Sequence, residues 1–236
     1  MLLSGLSNVD PMQMLLQILY FVPIYFITIV GHECAHGYVA YRLGDPTAKM
    51  LGRLTANPIK HIDPFGLIMM VLVGFGWAKP VPINPRNFRN PRKGMAIAAS
   101  AGPISNILMA AAGIIITDIF IILAYLFNWH NALAQSAQTF LHYFAILNVW
   151  FAVFNLIPIP PLDGLRIVTY FLSPKLSYYY NYVERYGFII LIVLLNLGRF
   201  SRYLNFIAIL QTFSGWIFNG ISYPINLIFS KLFNLL

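Results

Sequence analysis

The sequence predicts an all-α polytopic membrane protein: about five or six transmembrane helices, with a small β-strand/re-entrant element between the first two core helices. Three observations carry this prediction. Hydrophobic residues make up 59% of the chain and charged residues only 9%, far from the roughly one-quarter charged residues of soluble domains. Mean hydropathy is +0.71. The apolar residues also gather into runs approaching or exceeding the roughly 20 residues that a helix needs to cross a bilayer. A chain of 236 residues holds these spans and short loops, with no room for a large extramembrane domain.

Residues 1–11 form a short polar lead-in without Lys or Arg, so a cleavable signal peptide is not expected. From Met12 to Leu43 the pattern is helical and long enough to continue beyond the hydrocarbon, and Gly44-Asp45-Pro46 ends it. Between Thr47 and Pro58, β-branched and alternating residues bounded by Gly and Pro predict one or two short strands. Phe65 to Phe75 is apolar but too short to span, which suits a re-entrant or interfacial segment. A proline-stiffened loop from Trp77 to Pro85 follows. The second span runs from Met95 to Phe127, with Ala96, Ala98, Ala99, Ala101 and Gly102 at its start permitting close helix packing. Thr139 to Leu156 is a third apolar run, broken by Pro158, Pro160 and Pro161. Asp163 opens a short helix ending near Pro174. Beyond it lie two or three poorly delimited apolar runs.

The net charge of +8 raises nucleic acid as a partner, but the basic residues cluster in loops between apolar runs. Topology and anionic lipid explain them better, and no nucleic-acid partner is expected. Residues 42–93 carry nine Lys or Arg, whereas 128–138 carries none. By the positive-inside rule the first loop faces the cytoplasm. The first helix then runs inward, and the third run returns to the same side. A cell (inner or plasma) membrane is the expected location. The single cysteine, Cys34, rules out an internal disulfide.

Near the end of the first apolar run stands Gly31-His32-Glu33-Cys34-Ala35-His36-Gly37. On a helix His32 and His36 lie one turn apart on one face, where two imidazoles can share a zinc ion. Glu33 then falls close enough to act on a zinc-bound water. Cys34 reads as a small, inert filler. A structural pairing of His and Glu inside a bundle is the competing reading. Ionisable groups in membranes are costly, however, and mark function by default.

A catalytic zinc takes about three protein ligands and leaves one position open. The chain has seven carboxylates from which to draw the third. Asp10 precedes the first span, Asp45 and Asp63 belong to the basic loop, and Glu184 lies in a solvated patch. Asp118 falls toward the opposite face. Asp163 follows a proline break at the depth of the pentad, so topology selects it. Asn155 is an amide at the end of an otherwise apolar helix, and an interhelical hydrogen bond is its plain structural reading. His61 reads as a loop or packing residue, while His130 and His142 lie toward the far face.

The pentad His32-Glu33-Cys34-Ala35-His36, together with Asn155-Leu156-Ile157-Pro158-Ile159-Pro160-Pro161-Leu162-Asp163-Gly164, resembles the site-2 protease family (peptidase family M50) of intramembrane zinc metalloproteases. Gly52-Arg53-Leu54-Thr55-Ala56-Asn57-Pro58, Gly76-Trp77-Ala78-Lys79-Pro80-Val81-Pro82 and Ala101-Gly102-Pro103-Ile104-Ser105-Asn106 extend the likeness, which covers roughly residues 15–173. The resemblance implies one zinc ion held by His32, His36 and Asp163, with Glu33 as general base. It also implies that Asn155 lies near the metal and helps position substrate. The substrate would be a transmembrane segment of another protein, met within the lipid bilayer. No stretch is long and polar enough for the PDZ or CBS modules of some relatives, so a minimal member is expected. Residues 1–173 then make the catalytic membrane core, and 174–236 contribute C-terminal transmembrane helices. The segment Gly52–Asn57 is a candidate edge for an extended substrate.

Two other functions use the same residues. A zinc-dependent transporter or sensor would show internal repeats and several midplane polar groups; no repeat is evident, and Glu33 has no use in transport. A pseudoprotease that binds helices without cutting them would not need Glu33 and all three ligands intact. Oligomeric state leaves no signature in the sequence.

Overall fold

A computed structural model describes residues 11–66, 68, 77–197 and 205–233. The helices are α1 (Pro11–Arg42), α2 (Pro91–Leu126), α3 (Ala132–Asn155), α4 (Asp163–Phe171), α5 (Pro174–Glu184), α6 (Gly187–Asn196) and α7 (Phe206–Phe233). The fold is all-α, as expected. Among the described residues three helices are long and apolar enough to cross a membrane: Ile18–Arg42 within α1, then Pro91–Leu126 and Ala132–Asn155. This is fewer than the five or six spans expected from the sequence. α6 has only 10 residues, about 15 Å of helix. α7 is longer, at 28 residues, but interleaves Gln211, Thr212, Ser214, Asn219, Ser222 and Asn226 with its apolar side chains.

α2 is the central helix, packing against α1, α3 and α4. Its buried positions include Ala99, Gly102, Asn106, Ala110 and Gly113, a stripe of mostly small residues three or four apart. Residues at that spacing share one helix face, and their size lets neighbouring backbones come close. At Gly113 a Cβ would stand 3.0 Å from Phe144 and 3.3 Å from Ala145 of α3. The end of α3, the turn after it, α6 and α7 share a second core, where Phe154, Leu162, Leu191 and Leu210 cluster.

α1 ends in a glycine-based cap. Gly44 has φ +105°, its N–H donates to Tyr41 O at 3.1 Å, and the Asp45 N–H donates to Ala40 O at 2.9 Å. These two bonds satisfy the last carbonyls of the helix. Asp45 is wholly buried. It accepts from Thr47 N at 3.1 Å and Thr47 Oγ1 at 2.5 Å, and from Asn84 N at 2.7 Å and Asn87 Nδ2 at 2.6 Å. One carboxylate thereby ties the end of α1 to the segment that enters α2.

The strands expected between Thr47 and Pro58 do not form. Thr47–Met50 winds into one helical turn, started by Asp45 accepting the Thr47 N–H, and Gly52 with φ +63° turns the chain away. Pro58–His61 is a 3-10 turn capped by the Asn57 side chain. Local side-chain capping outcompetes the weak alternation in this stretch. Pairing of β type is confined, among the described residues, to one antiparallel bridge between Ile62 and Ala78. Gly52–Asn57, the candidate edge for an extended substrate, accordingly forms no regular strand. The expected re-entrant segment at 65–75 falls mostly on residues 67 and 69–75, outside the described residues.

Candidate metal centre

The pentad sits in the last third of α1, so His32 and His36 project from one face toward α2. Room for them comes from Gly102 of α2: a Cβ there would touch His36 Nε2 and would stand 2.5 Å from both His32 Cε1 and His36 Cε1. Asp163 arrives from the other side, at the start of α4. Gly164 lets it reach that place, since a Cβ at 164 would collide with the Leu156 carbonyl and lie 2.5 Å from Ile157 O. The glycine after the aspartate folds the start of α4 tightly onto the proline-broken turn.

Three atoms converge as a result. His32 Nε2 and His36 Nε2 are 3.0 Å apart, and Asp163 Oδ2 lies 3.1 Å from the first and 3.2 Å from the second. Both imidazoles are more than nine-tenths buried. His36 Nδ1–H donates to Ala98 O at 2.7 Å, and His32 Nδ1–H donates to Asn106 Oδ1 at 2.5 Å. With Nδ1 carrying the proton in each neutral ring, both Nε2 atoms present bare lone pairs. Asp163 Oδ2 is buried without a hydrogen-bond donor. With the tautomers set this way, three acceptors face one another, an arrangement suited to a cation between them. The spacing suits zinc, because bonds of about 2.0–2.1 Å in tetrahedral geometry put ligand atoms about 3.3–3.4 Å apart. Among the described residues this is the one group of three such side chains so placed.

Glu33 lies beside the triad on the wall of a cleft of about 630 Å³, shared by α1, the segment 77–85, α2, α3, the turn into α4, and α6. Its Oε2 accepts the backbone N–H of Val81 at 2.8 Å. Asn155 also lines the cleft, and its Nδ2 donates within its own helix to Phe151 O at 3.0 Å. His32, Glu33, His36, Asn155 and Asp163, far apart in sequence, therefore border one space. Arg166 of α4 lines it too, paired at 3.3 Å with Glu184.

Cys34 points elsewhere, its thiol donating to Thr55 O at 3.2 Å, in keeping with a filler. His61 is a buried packing residue whose Nε2–H donates to the same carbonyl at 2.9 Å. The contributions that sequence reasoning missed are the Val81 amide, the Ala98 carbonyl and the Asn106 side chain. Backbone groups have no sequence signature. Asn106 did offer a signal, as an Asn inside a long apolar helix.

Residues 116–194 match the family model described as Peptidase family M50. "Putative zinc metalloprotease YwhC" of Bacillus subtilis (strain 168) is 40% identical over 205 residues, covering 81% of this chain and 93% of that protein. "Putative zinc metalloprotease Rip2" of Mycolicibacterium smegmatis is 28% identical over 197 residues, covering 78% and 72%. "Zinc metalloprotease MJ0392" of Methanocaldococcus jannaschii is 26% identical over 153 residues, covering 65% of this chain and 34% of that protein. No solved structure matches. Likeness of this extent to the Bacillus protein, joined to the family match, shows that the chain belongs to peptidase family M50, the site-2 protease family, and is a zinc metalloendopeptidase, with helices long and apolar enough to cross a membrane.

Proposed function

We propose that the chain is an intramembrane endopeptidase that hydrolyses peptide bonds in or near transmembrane segments of other proteins. His32, His36 and Asp163 hold one zinc ion in this reading, and Glu33 is the general base. The observation that carries it is the triangle of two imidazole Nε2 atoms and one carboxylate oxygen at 3.0–3.2 Å, beside the separately held carboxylate of Glu33. Zinc, when bound, acidifies water and polarises a scissile carbonyl.

The protein's own groups do the rest. Glu33 takes a proton from the attacking water and passes it to the leaving amine. Its Oε2 is occupied by the Val81 N–H, so Oε1 is the oxygen that exchanges the proton. Asn155 spends its amide hydrogen on Phe151 O; its Oδ1 is the atom suited to accept an N–H from an unwound substrate. Tyr25, Ile29, Phe151 and Phe154 give the cleft apolar walls, which suits side chains drawn from a membrane helix.

The cell membrane is the expected site of action, with the cleft toward the cytoplasmic face. The nine basic residues between 42 and 93 support that orientation. Residues 1–173 form the catalytic membrane core in this reading; of the C-terminal helices in 174–236, the 28-residue α7 has the length to cross, whereas the 10-residue α6 does not.

The test is cleavage of model transmembrane peptides by purified protein, wild type against Glu33→Gln. The variant is expected to keep zinc and lose cleavage, since removing a general base costs about 10²–10⁴-fold. Cleavage at the wild-type rate by Glu33→Gln would refute the role of Glu33.

A further inference from the structure

Asn148 of α3 is wholly buried and takes no part in lining the cleft. It nevertheless connects to the metal centre through a chain of hydrogen bonds across three helices. Asn148 Nδ2 donates to Phe144 O at 2.9 Å and to Thr28 Oγ1 at 3.0 Å. Its Oδ1 accepts from Asn106 Nδ2 at 2.9 Å. Asn106 Oδ1 in turn faces His32 Nδ1 at 2.5 Å. Thr28 stands one turn before His32 on α1, so the chain closes on the helix that carries the ligand.

An amide has a donating end and an accepting end, so the sense of such a chain is set where it begins. It begins at the Phe144 carbonyl, which can only accept. That carbonyl fixes the Asn148 NH₂, which puts the Asn148 oxygen toward Asn106. The Asn106 NH₂ must then face Asn148, leaving only an oxygen for His32. An oxygen at Nδ1 requires the proton on Nδ1 and leaves Nε2 bare. Were Asn148 unable to impose this sense, the Asn106 amide could turn over. His32 would then carry its proton on Nε2, the atom that faces His36 and Asp163.

We infer that Asn148 is a positioning residue that fixes the tautomer of His32 through Asn106, so that the ring is poised as a metal ligand. The inference rests on His32 being such a ligand. A merely adhesive role between helices would affect stability without biasing one imidazole nitrogen over the other.

The experiment uses the full chain in detergent and reads zinc affinity by chelator competition, with ¹⁵N-histidine spectra of the protein before zinc is added, where no metal dictates the tautomer. Wild type is expected to carry the His32 proton on Nδ1. Asn148→Leu, nearly isosteric, should lower zinc affinity about tenfold, the low end of what outer partners of a metal ligand contribute. Asn148→Asp, whose oxygen still accepts from Asn106 Nδ2, should stay close to wild type. A wild-type His32 proton on Nε2 would overturn the inference without recourse to any variant. Unchanged affinity in Asn148→Leu, or equal losses in the Leu and Asp variants, would also overturn it. His32→Ala separates this failure from a failure of the site itself: if it leaves zinc affinity unchanged, the assignment of His32 as ligand is what falls.

Discussion

Glu33 Oε2 accepts the backbone N–H of Val81 at 2.8 Å, and that N–H is the only one in Pro80-Val81-Pro82. Two prolines remove the competing donors and stiffen the loop that presents the third. Val81→Pro should therefore lower kcat tenfold or more, by about the margin that misplacing a general base costs, while zinc content and KM stay near wild type. Val81→Ala keeps the N–H and should retain kcat, although it loses buried apolar contact with the Gly37 region. Steady-state kinetics on both variants checks this.

Gly102 leaves the space that the two imidazoles occupy. Gly102→Ala would press a methyl group onto both rings and turn them out of line. Zinc affinity should fall by at least tenfold, in line with the sensitivity of metal sites to ligand orientation. Metal content after dialysis against a weak chelator reports it, with Ser100→Ala as a nearby control on the same helix.

Asp45 gives the fold an acid-labile joint. Burial pushes its pKa up, but hydrogen bonds from the Thr47 hydroxyl, Asn87 and the Asn84 and Thr47 amides outweigh this and hold it below the ordinary aspartate value. A carboxyl depressed on folding contributes stability that is fully present above its unfolded pKa of about 3.9 and is lost as pH falls through the folded value. Asp45→Asn, which sets an NH₂ against at least one of these donors, should cost about 1–3 kcal/mol at pH 7. The gap between variant and wild type should narrow as pH drops below about 4. Thermal melts across pH 3–7 would show it.

Arg92, in the first turn of α2, donates to Thr169 O at 2.7 Å, Leu172 O at 2.6 Å and Ser177 Oγ at 3.1 Å. It thereby closes the C-terminal end of α4, whose first residue is Asp163. A cation there also suits the helix dipole. Arg92→Ala should weaken zinc binding a few-fold by loosening α4, and Arg92→Lys should recover part of the loss. Chelator competition on the two variants distinguishes the outcomes.

Much of the site was legible because its chemistry uses side chains that an apolar sequence otherwise excludes. His32, Glu33 and His36 stand out against uncharged neighbours, and loop charge together with the proline break before it points to Asp163 among seven carboxylates. Positive-inside reasoning orders the spans, and the structure brings Asp163 to within 3.2 Å of both imidazoles. The stretch after α1 was misread because its outcome depends on one side chain, Asp45, capping Thr47 and gripping Asn84 and Asn87 some 40 residues later. Periodicity does not register such a bond. Val81 and Ala98 act through backbone atoms, which any residue but proline supplies alike at Val81 and any residue at Ala98. Asn148 acts only through what it imposes on Asn106.

The most direct measurement is zinc stoichiometry and affinity of the purified full chain, wild type beside Asp163→Ala. One zinc per chain in the wild type, and a loss of affinity of at least tenfold in the variant, is the expected result. Asp163→Ala retaining one zinc at undiminished affinity would contradict the proposed centre, because the ion would then be held without the carboxylate that closes its triangle.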